Sequence, residues 1–227
     1  AAMEFFDSVQ LLAISRQHRG LFDKKADNGN MLIAESRLLT AAKAHYYHAV
    51  GLTERDDIVG ACEHYLCALE IMEPLVETSP LWRLMTKGKG LMANGERLKS
   101  QVKENAHSSK LEDQSPDYEK IRFIALIYTR LGRLFLNENY CDLAILKYKK
   151  ALKYVEILDD NNSKANVIKE LGNSYQLANK PDSALYYYKE SLKYNSSLPN
   201  KLDVEKSIAQ ILFYEGEKDT AYLLIKN

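Results

Sequence analysis

Tyr128-Thr129-Arg130-Leu131-Gly132-Arg133-Leu134-Phe135 and, 40 residues later, Ile168-Lys169-Glu170-Leu171-Gly172-Asn173-Ser174-Tyr175 are two copies of one pattern: a large residue, Leu-Gly, then an aromatic. The same shift of 40 relates Ala144-x3-Tyr148-x2-Ala151 to Ala184-x3-Tyr188. Two landmarks displaced by one interval define a register, and a register of this length is the mark of a helical-hairpin repeat. The small residues stand where the first helix of a hairpin closes on the second, so a large side chain would push the axes apart. Tyr148 and Tyr188 are expected to fill the wedge between neighbouring hairpins. One antiparallel pair cannot bury both its faces, so neighbours must stack.

Fainter copies share the inner spacing. Gly132 to Ala144 and Gly172 to Ala184 are 12 residues, and so are Ala209 to Ala221 and Ala49 to Ala61. Ile208-Ala209 takes the Leu-Gly place, and Ile225 the later aromatic place. Tyr65 and Ala68 follow Ala61, and Pro74 lies near the end of that unit. The pattern predicts helices over 32–53, 56–73, 118–137, 140–157, 163–178, 182–195, 201–214 and 217–226. Asn137-Glu138-Asn139, Asn179-Lys180-Pro181 and Gly216 make turns. Pro181 opens a helix, where its missing N–H costs nothing. The polar runs 159–163 and 195–200 are predicted inter-repeat loops.

These residues resemble the tetratricopeptide repeat over roughly 32–78 and 118–227. Departures are the absence of Trp at the first aromatic place, Glu156 and Ser196 where Pro is common, and a period longer than the usual one. The resemblance implies an all-α, right-handed superhelical solenoid of antiparallel helix pairs. It divides the chain into an N-terminal helix or cap (1–31), a first repeat (32–78), a degenerate or inserted helical segment with a linker (79–117), and three repeats (118–158, 162–196, 200–227). It also implies a non-catalytic scaffold that binds a protein or peptide on the concave face built by the first helices. On those helices Thr129, Arg130, Arg133, Asn137, Asn166, Lys169, Asn173, Gln176, Lys206 and Gln210 lie off the packing positions. They are polar and basic, as a groove for a carboxylate or peptide backbone would be. Lys169-x3-Asn173 resembles half of the family's carboxylate clamp; the other clamp residues are not at matching positions.

A looser similarity, in the Tyr-rich lengthened repeats, is to Bacteroidetes-type tetratricopeptide lipoproteins and regulators. It implies a bacterial protein of the cell envelope or periplasm, or the peptide-responsive sensory part of a transcriptional regulator. Cys62, Cys67 and Cys141 argue the other way: an odd count gives no complete disulfide framework, and free thiols suit a reducing cytoplasm.

Charge bounds the partners. The formal net charge is zero, from 31 basic and 31 acidic residues, unlike a dedicated nucleic-acid binder. Locally, 83–110 carries seven basic residues against Glu96 and Glu104, while 54–77 carries seven acidic residues against Arg55. Side-by-side neutralisation is one reading; nucleic-acid contact through 83–110 is the alternative. No stretch is long and apolar enough for a membrane span, and the opening residues lack the form of a signal peptide. No nucleophile elbow, phosphate loop or HExxH is present, so neither catalysis nor a cofactor is expected. His45, His48, Cys62, His64 and Cys67 lack zinc-ligand spacing. They are read as repeat-packing residues, His45 at an aromatic place and the cysteines as small fillers, with no metal.

Overall fold

The computed structural model describes residues 28–77, 116–158, 160–194 and 198–226. The described residues form eight helices and no strand: α1 (Asn28–Glu54), α2 (Ile58–Glu77), α3 (Pro116–Asn137), α4 (Cys141–Leu158), α5 (Asn161–Leu177), α6 (Pro181–Tyr194), α7 (Leu198–Tyr214) and α8 (Lys218–Lys226). They pair as helical hairpins, the tetratricopeptide-like arrangement expected from the spacing. The chain packs as two compact units that divide inside α3, between Ile127 and Tyr128. The expected N-terminal cap, apart from its last residues, and the 79–117 segment with its basic stretch, apart from Pro116 and Asp117, lie outside the described residues.

Several helices begin earlier than the apolar pattern indicated. Asn28-Gly29-Asn30 belongs to α1, Pro116-Asp117 to α3 and Leu198-Pro199-Asn200 to α7. A first helical turn is tolerant of polar residues and of Pro, because its N–H groups have no intrahelical partner. Asp160 caps α5, accepting from the backbone N–H of Asn162 and Ser163. At the other extreme, α2 does not stop at Pro74 but runs through it to Glu77.

Each hairpin turns on one residue in the left-handed region: Asp56 (φ 63°), Asn139 (φ 60°), Asn179 (φ 55°) and Gly216 (φ 93°). In every copy this is the seventh residue after the small residue at 49, 132, 172 or 209. Its N–H bonds the carbonyl three residues back. The next N–H bonds the carbonyl five back: Asp57 to Leu52 at 3.0 Å, Tyr140 to Phe135 at 2.8 Å, Lys180 to Tyr175 at 2.9 Å, Glu217 to Leu212 at 2.9 Å. This paired closure satisfies the orphan carbonyls at a helix end. Asp and Asn tolerate the left-handed conformation better than other side chains do, and Gly tolerates it best.

The small residues are buried as predicted: Ala49, Ala61, Ala144 and Ala184 are all inaccessible to solvent. The reason for glycine differs from the expectation. A Cβ on Gly132 would stand 2.8 Å from the Tyr148 ring, and one on Gly172 would stand 2.6 Å from the Tyr188 ring. Glycine therefore makes room for the tyrosine of its own hairpin rather than for the opposing backbone. Tyr188 also fills the expected wedge, sharing a core cluster with Val204, Ile208 and Ile211 of α7.

In the first unit, α1 packs directly on the first half of α3. Lys120 reaches Glu35 at 2.9 Å and Asp117 at 3.3 Å, and Lys43 reaches Glu119 at 2.8 Å. The Tyr46 and Phe123 rings meet edge to face between them.

Candidate functional site

All ten residues expected to face a partner fall in the second unit, on α3, α5 and α7. Arg130, Arg133, Asn137, Asn166, Lys206 and Gln210 are exposed; Thr129, Lys169, Asn173 and Gln176 are half-buried.

Three of the ten are joined in one hydrogen-bond chain. Arg133 Nη2 donates to Glu170 Oε1 at 3.0 Å, tying α3 to α5. Asn173 Nδ2 donates to Glu170 Oε2 at 3.0 Å. The Tyr188 hydroxyl, from α6, lies 2.7 Å from Asn173 Oδ1 and 2.6 Å from Gln176 Oε1. With a single proton, the hydroxyl serves one amide at a time. Burial pushes Tyr188 up to about 12, a rise that the Ser207 hydroxyl opposes and the Glu170 carboxylate reinforces. Glu170 is thus the hub, and it corrects the picture of a groove with few acids. Burial works against the Arg133 charge, but Glu170 and, less strongly, Tyr148 together outweigh it and hold the guanidinium above its ordinary range.

Tyr148 is the counterpart of Tyr188 one repeat earlier, and its environment is poorer. Its hydroxyl is buried with no well-formed hydrogen bond among the described residues. Burial first, then Glu170, raises it well above the ordinary tyrosine value, and Arg133 only partly offsets this.

Arg130, Lys169 and Lys206 form no ion pair among the described residues. Asn173, read as half of a clamp, is committed to Glu170 and Tyr188, which leaves Lys169 without its companion.

A sequence signal for Glu170 existed. It sits two residues before Gly172, as Arg130 does before Gly132, so opposite charges occupy equivalent places one repeat apart.

The first hairpin carries a different polar group. His45 Nδ1 lies 2.9 Å from His64 Nδ1, and the His48 ring stacks on His64 with centroids 4.1 Å apart and planes 11° from parallel. His48 and His64 lie equally far on either side of the turn residue Asp56, which is why antiparallel pairing superposes them. Burial, then the neighbouring His48, lowers the His64 pKa against the weaker pull of Glu63 and Asp57. Among the described residues no three His, Cys, Asp or Glu side chains are placed to hold a metal ion. Stacked rings aim their lone pairs in parallel planes, not at one point. Cys62 is buried, and Cys67 is half-buried with its thiol pushed up by burial and by Glu70 and Glu63; none of the three cysteines is in a disulfide. A raised thiol is a weak nucleophile.

Among the described residues no helix is long and apolar enough to cross a membrane. No family model matches the chain, and no curated protein matches it. Among solved structures it is similar to MamA, at 19% identity over 78% of this chain and 90% of that one, with a TM-score of 0.37. It is also similar to PilF of Pseudomonas aeruginosa, at 19% identity over 82% of this chain and 76% of that one, with a TM-score of 0.36. Likenesses of that size carry no argument about what the chain binds.

Proposed function

We propose that the chain is a non-catalytic scaffold that holds a protein segment against the α3–α5–α7 face of its second unit. The observation that carries this reading is the division of labour on that face. Arg133, Glu170, Asn173, Gln176 and Tyr188 hold one another in place. On the same three helices Arg130, Lys169 and Lys206 keep charges with no ion-pair partner among the described residues, and Asn137, Asn166 and Gln210 carry amides. A fixed polar floor with free cations and amides suits an extended peptide. Its backbone offers carbonyls and N–H groups to the amides, and an acidic side chain or terminal carboxylate engages the cations. Preorganisation lowers the ordering cost of binding.

The reading is tested with Lys169→Glu plus Lys206→Glu in a pull-down against the unmodified chain. These two positions are chosen because Arg133→Glu would set an acid against Glu170 and break the internal network. Loss of the captured partner with an unchanged helical circular-dichroism signal supports the face. An unchanged set of captured proteins removes it. A peptide-responsive regulator would use the same face and add a change of shape on binding. Nucleic-acid contact rests on 83–110, outside the described residues.

A further inference from the structure

The histidine cluster of the first hairpin is not needed by the peptide-binding reading, and it is unlike ordinary repeat packing. Where the third hairpin has Ile168, Leu171 and Tyr187, the first sets three imidazoles against one another across α1 and α2. We propose that His45, His48 and His64 form a proton-operated latch on the first hairpin, closed when the rings are neutral or share one added proton and forced open when acid loads them further.

The chemistry follows from the geometry. A contact of 2.9 Å between two Nδ1 atoms is a hydrogen bond only if one carries a proton and the other presents a lone pair. A first added proton can enter on the outer nitrogen of the donor ring and leave the bond intact. A proton on the acceptor's Nδ1 puts N–H against N–H, and the bond is lost. Charging His48 as well stacks one cation on another at a centroid spacing of 4.1 Å. The charged groups acting on His64 from α1 and α2 are His48, Glu63 and Asp57, and the two carboxylates pull less than burial and His48 push.

The sign is therefore fixed. A histidine whose folded pKa is depressed binds fewer protons folded than unfolded. The hairpin keeps its full stability above the ordinary histidine pKa of about 6.5 and loses it as pH falls through the lower folded value. A proton fits this cluster better than a metal, because the stacked ring cannot aim at a centre shared with His45.

The test is an NMR titration of the full chain from pH 8 to pH 4.5. It follows the imidazole Hε1 signals, with amide exchange in α1 and α2 compared with α5 and α6, which contain no histidine. The expected result is at least one imidazole titrating below about 6.5, and a roughly tenfold loss of exchange protection in α1 and α2, corrected for the intrinsic rate. In α5 and α6 protection stays flat. His64→Gln removes the acid step while keeping a hydrogen-bonding group beside His45. If that variant does not fold, the unmodified chain alone decides. Three independent imidazoles titrating near 6.5 with unchanged α1–α2 protection would overturn the proposal. So would stoichiometric zinc shifting all three rings together at neutral pH.

Discussion

The first and third hairpins share one spacing and hold their neighbours by different forces. In the first unit, α1 meets α3 through Lys120 with Glu35 and Asp117, through Lys43 with Glu119, and through the Tyr46–Phe123 ring pair. In the second, α6 meets α7 through Tyr188, Val204, Ile208 and Ile211, an apolar cluster with one hydroxyl inside it. Inside the hairpins the contrast repeats: Gly172 faces a tyrosine ring, where Ala49 holds the equivalent place in α1. Spacing dictates where helices approach; the side chains at the approach are free to be ionic, aromatic or apolar. The two regions should accordingly fail under different insults.

The largest effect is expected from exchanging the small residues. Gly172→Ala gains helix propensity of about 1 kcal/mol, but its Cβ would sit 2.6 Å from the Tyr188 ring. With two ring atoms at 2.6 Å, overpacking should reach or exceed the top of its usual range, about 3 kcal/mol or more, which outweighs the gain by more than about 2 kcal/mol and lowers the urea midpoint of the second unit. Ala49→Gly should lose only the propensity, about 1 kcal/mol. A stabilised Gly172→Ala would mean that the ring does not press on the glycine, and the contrast between the hairpins would be void.

Next comes Lys120→Ala, which strands Glu35 and Asp117. Breaking a buried pair costs about 3–5 kcal/mol; both carboxylates are about a quarter exposed, so screening should reduce this to about 2 kcal/mol. Burial opposes the Lys120 charge, but Glu35 and then Asp117 raise its pKa above the ordinary value. Its contribution is therefore complete at neutral pH and is lost only as pH rises through that raised value. Thermal melts across the alkaline range should show this loss in the wild type and not in the variant.

Smaller still is the hydroxyl comparison. Tyr188→Phe leaves Asn173 and Gln176 short of a partner and should cost about 1–2 kcal/mol. Tyr148→Phe removes a buried hydroxyl with no well-formed bond and should lie within about 0.5 kcal/mol of the wild type. Equal losses in chemical denaturation would show that both hydroxyls are equally satisfied. Smallest is the turn pair. Asn179→Gly should stabilise by a few tenths of a kcal/mol, and Gly216→Ala should destabilise by about 1 kcal/mol, since left-handed backbone penalises a Cβ.

The fold was legible because small residues recur at the points of closest approach, and no other pattern explains Gly132, Ala144, Gly172 and Ala184 together. Helix starts were less legible. Asn28, Pro116 and Leu198 open helices with residues that also populate loops, and periodicity cannot separate a first turn from a linker. The candidate face was legible only as a set of polar positions. Which of them are committed inward depends on partners 12 to 37 residues away, as with Tyr188–Gln176, Tyr188–Asn173 and Arg133–Glu170. The histidines were visible as residues, but their meeting needed Asp56 recognised as the centre of the turn. Asp in the left-handed region is uncommon enough that spacing alone did not mark it.

The repeated corner has a kinetic consequence. Its closing bonds join atoms no more than five residues apart in the chain. Each hairpin can nucleate by itself and recruit the next by zippering, without waiting for remote segments to diffuse together. A longer connection between two corners then delays only the junction that it bridges, by an entropy that grows with the logarithm of its length, so that doubling it adds about 0.6 kcal/mol. Such a chain tolerates lengthening between corners far better than a single added residue within one.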